Sequence, residues 1–273
     1  VESVSVEPVI VKEIKLGIIG ENMDKIRGLT PTILAMNDQF WLPYALESLR
    51  GRFERYVIYD AGSEDETGNI IDWFCETEEA EFFVRKLPFA VPSIQGCYRN
   101  SMLVEAETEW TYMVDCDEVY HPTSLDNLRK ICLRNGDTAT AFQESIKYGV
   151  VQRIEMAGNL LQKYSDERTH HRLYRRNAYF TGNHPGEAPK FKQRQNNEII
   201  IEDVTCWHFH NALRSPLEGS VPKRLDRKSQ GTYHPGELVP FDLLKELPIL
   251  REPINDFPVS PDLERLQHGA RKM

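Results

Sequence analysis

Asp115-Cys116-Asp117 closes the apolar run Trp110-Thr111-Tyr112-Met113-Val114. Side chains alternate along a strand, so carboxylates two residues apart should project to the same side. Like charges that close are costly unless a cation joins them. Hard divalent ions such as Mg²⁺ and Mn²⁺ take oxygen ligands and keep positions open for substrate phosphates. The pair therefore predicts a metal-bridged phosphate site. D-x-D also arises by chance on acidic, solvated turns, so the surrounding elements must carry the reading.

Those elements alternate. Residues 32–36 form an apolar run that predicts a buried strand, and Asn37-Asp38 offers a helix N-cap. Trp41, Tyr44, Ala45, Ser48 and Leu49 fall on one helical face that Gly51 ends. Residues 56–59 predict a second strand. Asp60-Ala61-Gly62-Ser63 then turns into a helix over 66–77, its start favoured by an Asp or Ser cap and acidic residues. A third strand is expected at 82–84 and a helix from Ser93 into the strand before Asp115. A further helix starts at Pro122, with a Leu125, Leu128, Ile131, Cys132 face and a stop at Asn135-Gly136. This order predicts an α/β fold: a mostly parallel sheet with helices on both faces and ligands beyond the carboxyl ends of the strands. Asn37-Asp38, Asp60 and Asp115-Asp117 all follow strands at that end.

Residues 1–29 form an N-terminal extension in which 9–11 and 14–19 have strand character. Beyond Asp137 the alternation breaks, and 138–142, 172–176 and 198–206 read as strands. Residues 215–273 are rich in Pro and charge, with one helical segment near 241–247, and suggest an extension wrapping the domain. The main domain is thus expected over 30–214.

Composition sets bounds. The 273 residues are 40% hydrophobic and 27% charged, as in ordinary globular proteins. A formal net charge of −9 argues against nucleic acid or an anionic membrane as the main partner. Basic residues still cluster at 172–176 and 190–194. Five cysteines without a C-x-x-C pair fit reduced thiols and a cytoplasmic location. Cys116 is expected to turn to the core as a small apolar side chain. No run approaches the ~18 apolar residues of a membrane span, and no secretory segment opens the chain. A first residue other than Met is expected of a processed or excised piece.

Four segments in order, TILAMNDQFWLPYALESL at 32–49, VIYDAGSEDET at 57–67, YRNSMLVEAETEW at 98–110 and YMVDCDEVYHP at 112–122, resemble the family-2 glycosyltransferases of the GT-A fold. The resemblance covers most of residues 30–135 and implies a Rossmann-like nucleotide-sugar half there, with an acceptor half over 136–214. It implies Asp60 and Asp38 near base and ribose, Asp115 near ribose or metal, and Asp117 as the main ligand of Mn²⁺ or Mg²⁺. Arg99-Asn100 matches the R-N pair before the D-x-D strand; Arg99 would contact the diphosphate or form an ion pair within the domain.

Residues 169–176 and 179–187 resemble, more loosely, a stretch of lipopolysaccharide-core and related bacterial sugar transferases. Pro185 and Gly186 separate His184 from Glu187, where that branch has His and Glu adjacent. Trp207-His208-Phe209-His210 matches the place where such enzymes supply a metal-binding histidine, and neutral imidazole suits Mn²⁺; His208 is preferred over His210. The implied reaction moves a sugar, with inversion, from a nucleoside-diphosphate sugar to a hydroxyl of a glycan or other acceptor. Glu187 is the preferred base, with His184 and Asp203 behind it. Arg172, Arg175 or Arg176 would meet the departing diphosphate. Two rivals stay open: a non-catalytic nucleotide-sugar- or glycan-binding module, and a nucleotidyltransferase. The second would need a Gly-rich basic loop where Asn37-Asp38-Gln39 stands.

Overall fold

A computed structural model describes residues 11–14, 25–88, 94–135, 141–147, 149–150, 162–164, 168–175, 178–180, 190–191, 198–209, 214–217, 238–240, 247–251 and 254. The first half runs β1 (Val11–Ile14), β2 (Leu29–Ala35), α1 (Leu42–Leu49), β3 (Arg55–Asp60), α2 (Thr67–Thr77), β4 (Glu81–Lys86), α3 (Gln95–Glu105) and β5 (Trp110–Val114). It continues through β6 (Glu118–Tyr120) and α4 (Pro122–Asn135). The second half adds β7 (Ala141–Lys147), β8 (Gly149–Val150), β9 (Gln162–Tyr164), β10 (Arg168–Arg175), β11 (Ala178–Tyr179), β12 (Lys190–Phe191), β13 (Glu198–His208) and β14 (Leu238–Pro240).

Nine strands form one sheet in the order β1-β4-β3-β2-β5-β10-β7-β13-β6. The block β4-β3-β2-β5 is parallel throughout, as buried β-α-β units require. β1 borders it antiparallel, and β10 joins β5 antiparallel on the other side. Strand–helix alternation thus stops after α4, in keeping with the break expected beyond Asp137. The strand order reverses between β2 and β5, which makes their carboxyl ends the switch point where α/β sheets take ligands.

Period-two alternation explains the two layers of core. Ile33, Ala35, Tyr56, Ile58, Phe82, Val84, Tyr112 and Val114 pack with Leu42, Leu46, Leu49, Ile70, Phe74, Leu125 and Leu128 of α1, α2 and α4. On the opposite face Leu34, Val57, Tyr59 and Phe83 meet Met102 and Tyr98 of α3. Helices therefore cover both faces of the parallel block. Gly51, at φ 72, ends α1 in the left-handed conformation expected of a residue just past a helix. In the tail, a 3-10 turn at Pro248–Arg251 packs against α1, and its Leu250 is buried. Of the helical expectation near 241–247, residues 241–246 lie outside the described residues.

Two capping expectations are corrected. The N-cap of α1 is Trp41, and the Asp38 carboxylate instead accepts the Met36 N–H at 3.0 Å. The N-cap of α2 is Glu66 without a side-chain bond; Asp65 accepts the Thr67 N–H at 2.9 Å. At α1 the carboxylate turns back to the end of the strand, whereas at α2 Asp65, one residue before the cap, still meets the first N–H of the helix.

Candidate functional site

Two loops interlock beyond β2 and β3. The Asn37 N–H donates to Ser63 Oγ at 3.0 Å, and the Glu64 N–H returns a bond to Asn37 Oδ1 at 2.9 Å. The Asp38 N–H donates to Thr67 Oγ1 at 2.8 Å. Asn37 holds φ 51, a conformation its short polar side chain tolerates better than most. Asp60 ends β3 and accepts the Ser63 N–H at 2.9 Å. Burial pushes its carboxyl up, partly offset by Ser63 and Lys86. The rim is therefore preset by the chain's own hydrogen bonds.

Beyond β5 the geometry differs from the expectation. The strand ends at Val114, and residues 115–117 turn, with the Glu118 N–H donating to the Asp115 carbonyl at 3.0 Å. Period two stops there, so the two carboxylates meet different partners. Asp115 takes Arg99 Nη2 at 2.9 Å and Arg172 Nη2 at 3.1 Å. Asp117, fully buried, faces His208 Nε2 at 3.2 Å and is ion-paired with Arg214. Arg214 also reaches Asp38 Oδ1 at 3.4 Å. Cys116 turns into the core with its thiol towards the Leu34 carbonyl, and burial pushes that thiol well up.

Glu118 and Arg214 are the residues that the motif reading omitted. Glu118 opens β6 opposite His208 of β13, a cross-strand pair, and is ion-paired with Arg172. Arg172 sits at an irregularity of β10 between His171 and Leu173, and such a bulge re-aims a side chain. Burial would raise the Asp115 carboxyl, but Arg172 and Arg99 outweigh it and hold it well below the usual carboxylate range. For Glu118 burial wins over Arg172, and its carboxyl lies above that range. Glu118 stands three residues from Asp115 in the same acidic run, the one signal that could have found it.

Ligand atoms of Asp115, Glu118 and His208 lie within 4.8 Å of one another. That is close to twice a metal–oxygen bond of about 2.1 Å. Two carboxylates and an imidazole suit Mn²⁺ or Mg²⁺, so the donor set fits a divalent cation. Asp117 adjoins this cluster through His208. The structure brings together Asp38, Arg99, Asp115, Asp117, Arg172 and His208, with Asp60 on the adjacent loop. His184, Glu187, His210 and Arg176 lie outside the described residues, as do the side chains of Arg175 and Asp203.

No family model and no curated protein matches the chain. Among solved structures it is similar to S. aureus TarS 1-349, at 15% identity and TM-score 0.45 over 67% of this chain and 60% of that one. The same protein in complex with UDP-GlcNAc gives 14% identity and TM-score 0.44 over 65% and 57%. Glucosyl-3-phosphoglycerate synthase from Mycobacterium tuberculosis, in complex with Mn²⁺ and uridine-diphosphate-glucose, gives 17% identity and TM-score 0.34 over 43% of each chain. The chain spans 36% of the longer TarS structure. These structures are what the chain is similar to, at low identity and over part of its length.

Proposed function

We propose that the chain is a metal-dependent glycosyltransferase that moves a sugar from a nucleoside-diphosphate sugar to an acceptor hydroxyl. One observation carries this reading: Asp115, Asp117, Glu118 and His208 meet at the switch point, beside the preset loops of Asp38 and Asp60. In open α/β sheets nucleotides bind beyond the carboxyl ends of the strands at such a switch point. Asp60 and Asp38 would accept hydrogen bonds from base and ribose. Asp117, Asp115 and His208, joined by Glu118, would hold Mn²⁺ or Mg²⁺. When bound, the cation would neutralise charge on a departing diphosphate.

Arg99 and Arg172 fix the Asp115 carboxylate, and both lie where a diphosphate would bring negative charge. An inverting transfer would need Glu187, or His184, to take the acceptor proton as the hydroxyl attacked from the face opposite the departing diphosphate. Free thiols at Cys75, Cys97, Cys116 and Cys206 accord with a reducing, cytoplasmic setting. Among the described residues no helix is long and apolar enough to cross a membrane.

The arginines already paired with Asp115 and Asp117 favour one rival, a module that binds a nucleotide sugar or glycan without turnover. Nucleoside diphosphate release from UDP-glucose, UDP-GlcNAc and a wider donor panel, with Mn²⁺ or Mg²⁺, separates the two. Turnover in the wild type and a loss on the order of 10³-fold in Asp117→Asn are expected. Donor binding without turnover would leave the module, and undiminished activity in the variant would overturn the site.

A further inference from the structure

Arg214 stands where a cation is wanted. Its guanidinium is ion-paired with Asp117 Oδ2, the same oxygen that faces His208 Nε2 at 3.2 Å. Its other terminal nitrogen reaches Asp38 Oδ1 at 3.4 Å. It thus joins a carboxylate beyond β5 to one beyond β2, across the switch point. Four carboxylates meet here, Asp38, Asp115, Asp117 and Glu118, and three guanidiniums answer them, Arg99, Arg172 and Arg214.

The backbone around Arg214 is fastened to the first-half loops. Its carbonyl accepts the Phe40 N–H at 2.9 Å, and the next residue, buried Ser215, donates its hydroxyl to Asp65 Oδ2 at 2.5 Å. Ser215 Oγ also accepts the Leu217 N–H at 3.1 Å. The guanidinium is therefore presented by an anchored segment.

We propose that Arg214 is a latch on the metal site: it stands in for the divalent cation at Asp117 and must give up that oxygen when the cation binds. Two cations cannot share one carboxylate oxygen without strong repulsion. Removing the guanidinium leaves Asp117 and Asp38 buried without its charge, which raises the site's demand for a metal. The latch rests on the reading of Asp117 and His208 as metal-binding groups. It adds that the unliganded site is held in a self-paired state, so metal affinity is set partly by residues 214–217.

Mn²⁺ binding to the whole chain without nucleotide, followed by the electron paramagnetic resonance of free Mn²⁺, tests it. Arg214→Gln should bind Mn²⁺ more tightly than wild type, on the order of tenfold. Ser215→Ala removes only the anchoring hydroxyl and should tighten binding about two- to threefold, a readout that survives if Arg214→Gln folds poorly. Unchanged or weaker Mn²⁺ affinity in Ser215→Ala and in a folded Arg214→Gln overturns the latch. Asp117→Ala separates the two ideas. If it loses Mn²⁺ while the other variants bind like wild type, the latch alone fails; if it binds Mn²⁺ like wild type, the metal reading falls and the latch with it.

Discussion

The two ends of the parallel block both carry arginine–carboxylate clusters, and they are built differently. At the amino ends Arg55 meets Glu81 at 3.1 Å and Glu107 at 3.2 Å, and Arg27 meets Glu54 at 3.3 Å. The Glu107 side chain is 65% exposed and that of Arg27 61%. Pairs of this kind contribute about 0–1 kcal/mol. At the carboxyl ends the Arg172 side chain is 3% exposed, and Glu118 and Asp117 are fully buried. There desolvation opposes each charge, and only partners on every side keep the cluster stable. A fold needs no such cluster to be stable. Its presence at the switch point is what the proposed function accounts for and stability alone does not.

Breaking one pair at each end should expose the difference. Arg172→Leu leaves Glu118 and Asp115 buried against one fewer cation and is expected to lower stability by about 3–5 kcal/mol in urea unfolding. A loss below 1 kcal/mol would show that the buried cluster is as dispensable as the exposed one.

Acid should separate the ends by sign. Asp115 is held below the usual carboxylate range, so its contribution is complete above an unfolded value of ~3.9 and is lost as pH falls through the lower folded value. The deficit of Asp115→Asn should therefore be largest near neutrality and shrink below about pH 3. Glu78, near the amino ends, is raised by burial despite the Gly51 N–H, Lys25 and Arg50. Its cost is absent below ~4.3 and grows as pH rises through the folded value. Glu78→Gln should therefore gain on wild type as pH rises from about 4. Parallel stability profiles for the two variants would sink this contrast. The smallest effect belongs to Arg55→Leu, expected within about 1 kcal/mol of wild type by the same urea measurement.

Much of the first half could be read from sequence because local signals and tertiary demands agree there. The apolar runs before Met36, Asp60 and Asp115 became β2, β3 and β5, and Pro122 opened α4 where expected. Of the strand expected at 138–142, residues 141–142 open β7, which runs Ala141–Lys147, and 138–140 lie outside the described residues. β10 starts before the segment expected, because polar residues such as Thr169 pair inside the sheet, and β13 runs past it to His208, opposite Glu118. At the candidate site, D-x-D drew attention to a turn that gathers buried charge, but its period-two geometry fails there because β5 ends at Val114. Which arginine meets which aspartate depends on chain crossings over 57 residues or more, from Arg172 to Asp115 and from Arg214 to Asp38. No local pattern encodes that choice.

The strand order has a further consequence. β5 and β6 are separated by β10, β7 and β13, four inter-strand steps or about 19 Å in a flat sheet. Yet the chain passes from Val114 to Glu118 in four Cα steps, which reach about 14 Å at most. The sheet must therefore curl until its far edge returns towards its centre; β10 and β13, which lie between, both carry register irregularities of the kind that bend strands. Residues 115–117 form a short chord across that arc. The turn that carries the two aspartates is thus also the link that holds the far edge of the sheet, β6, beside its centre, β5.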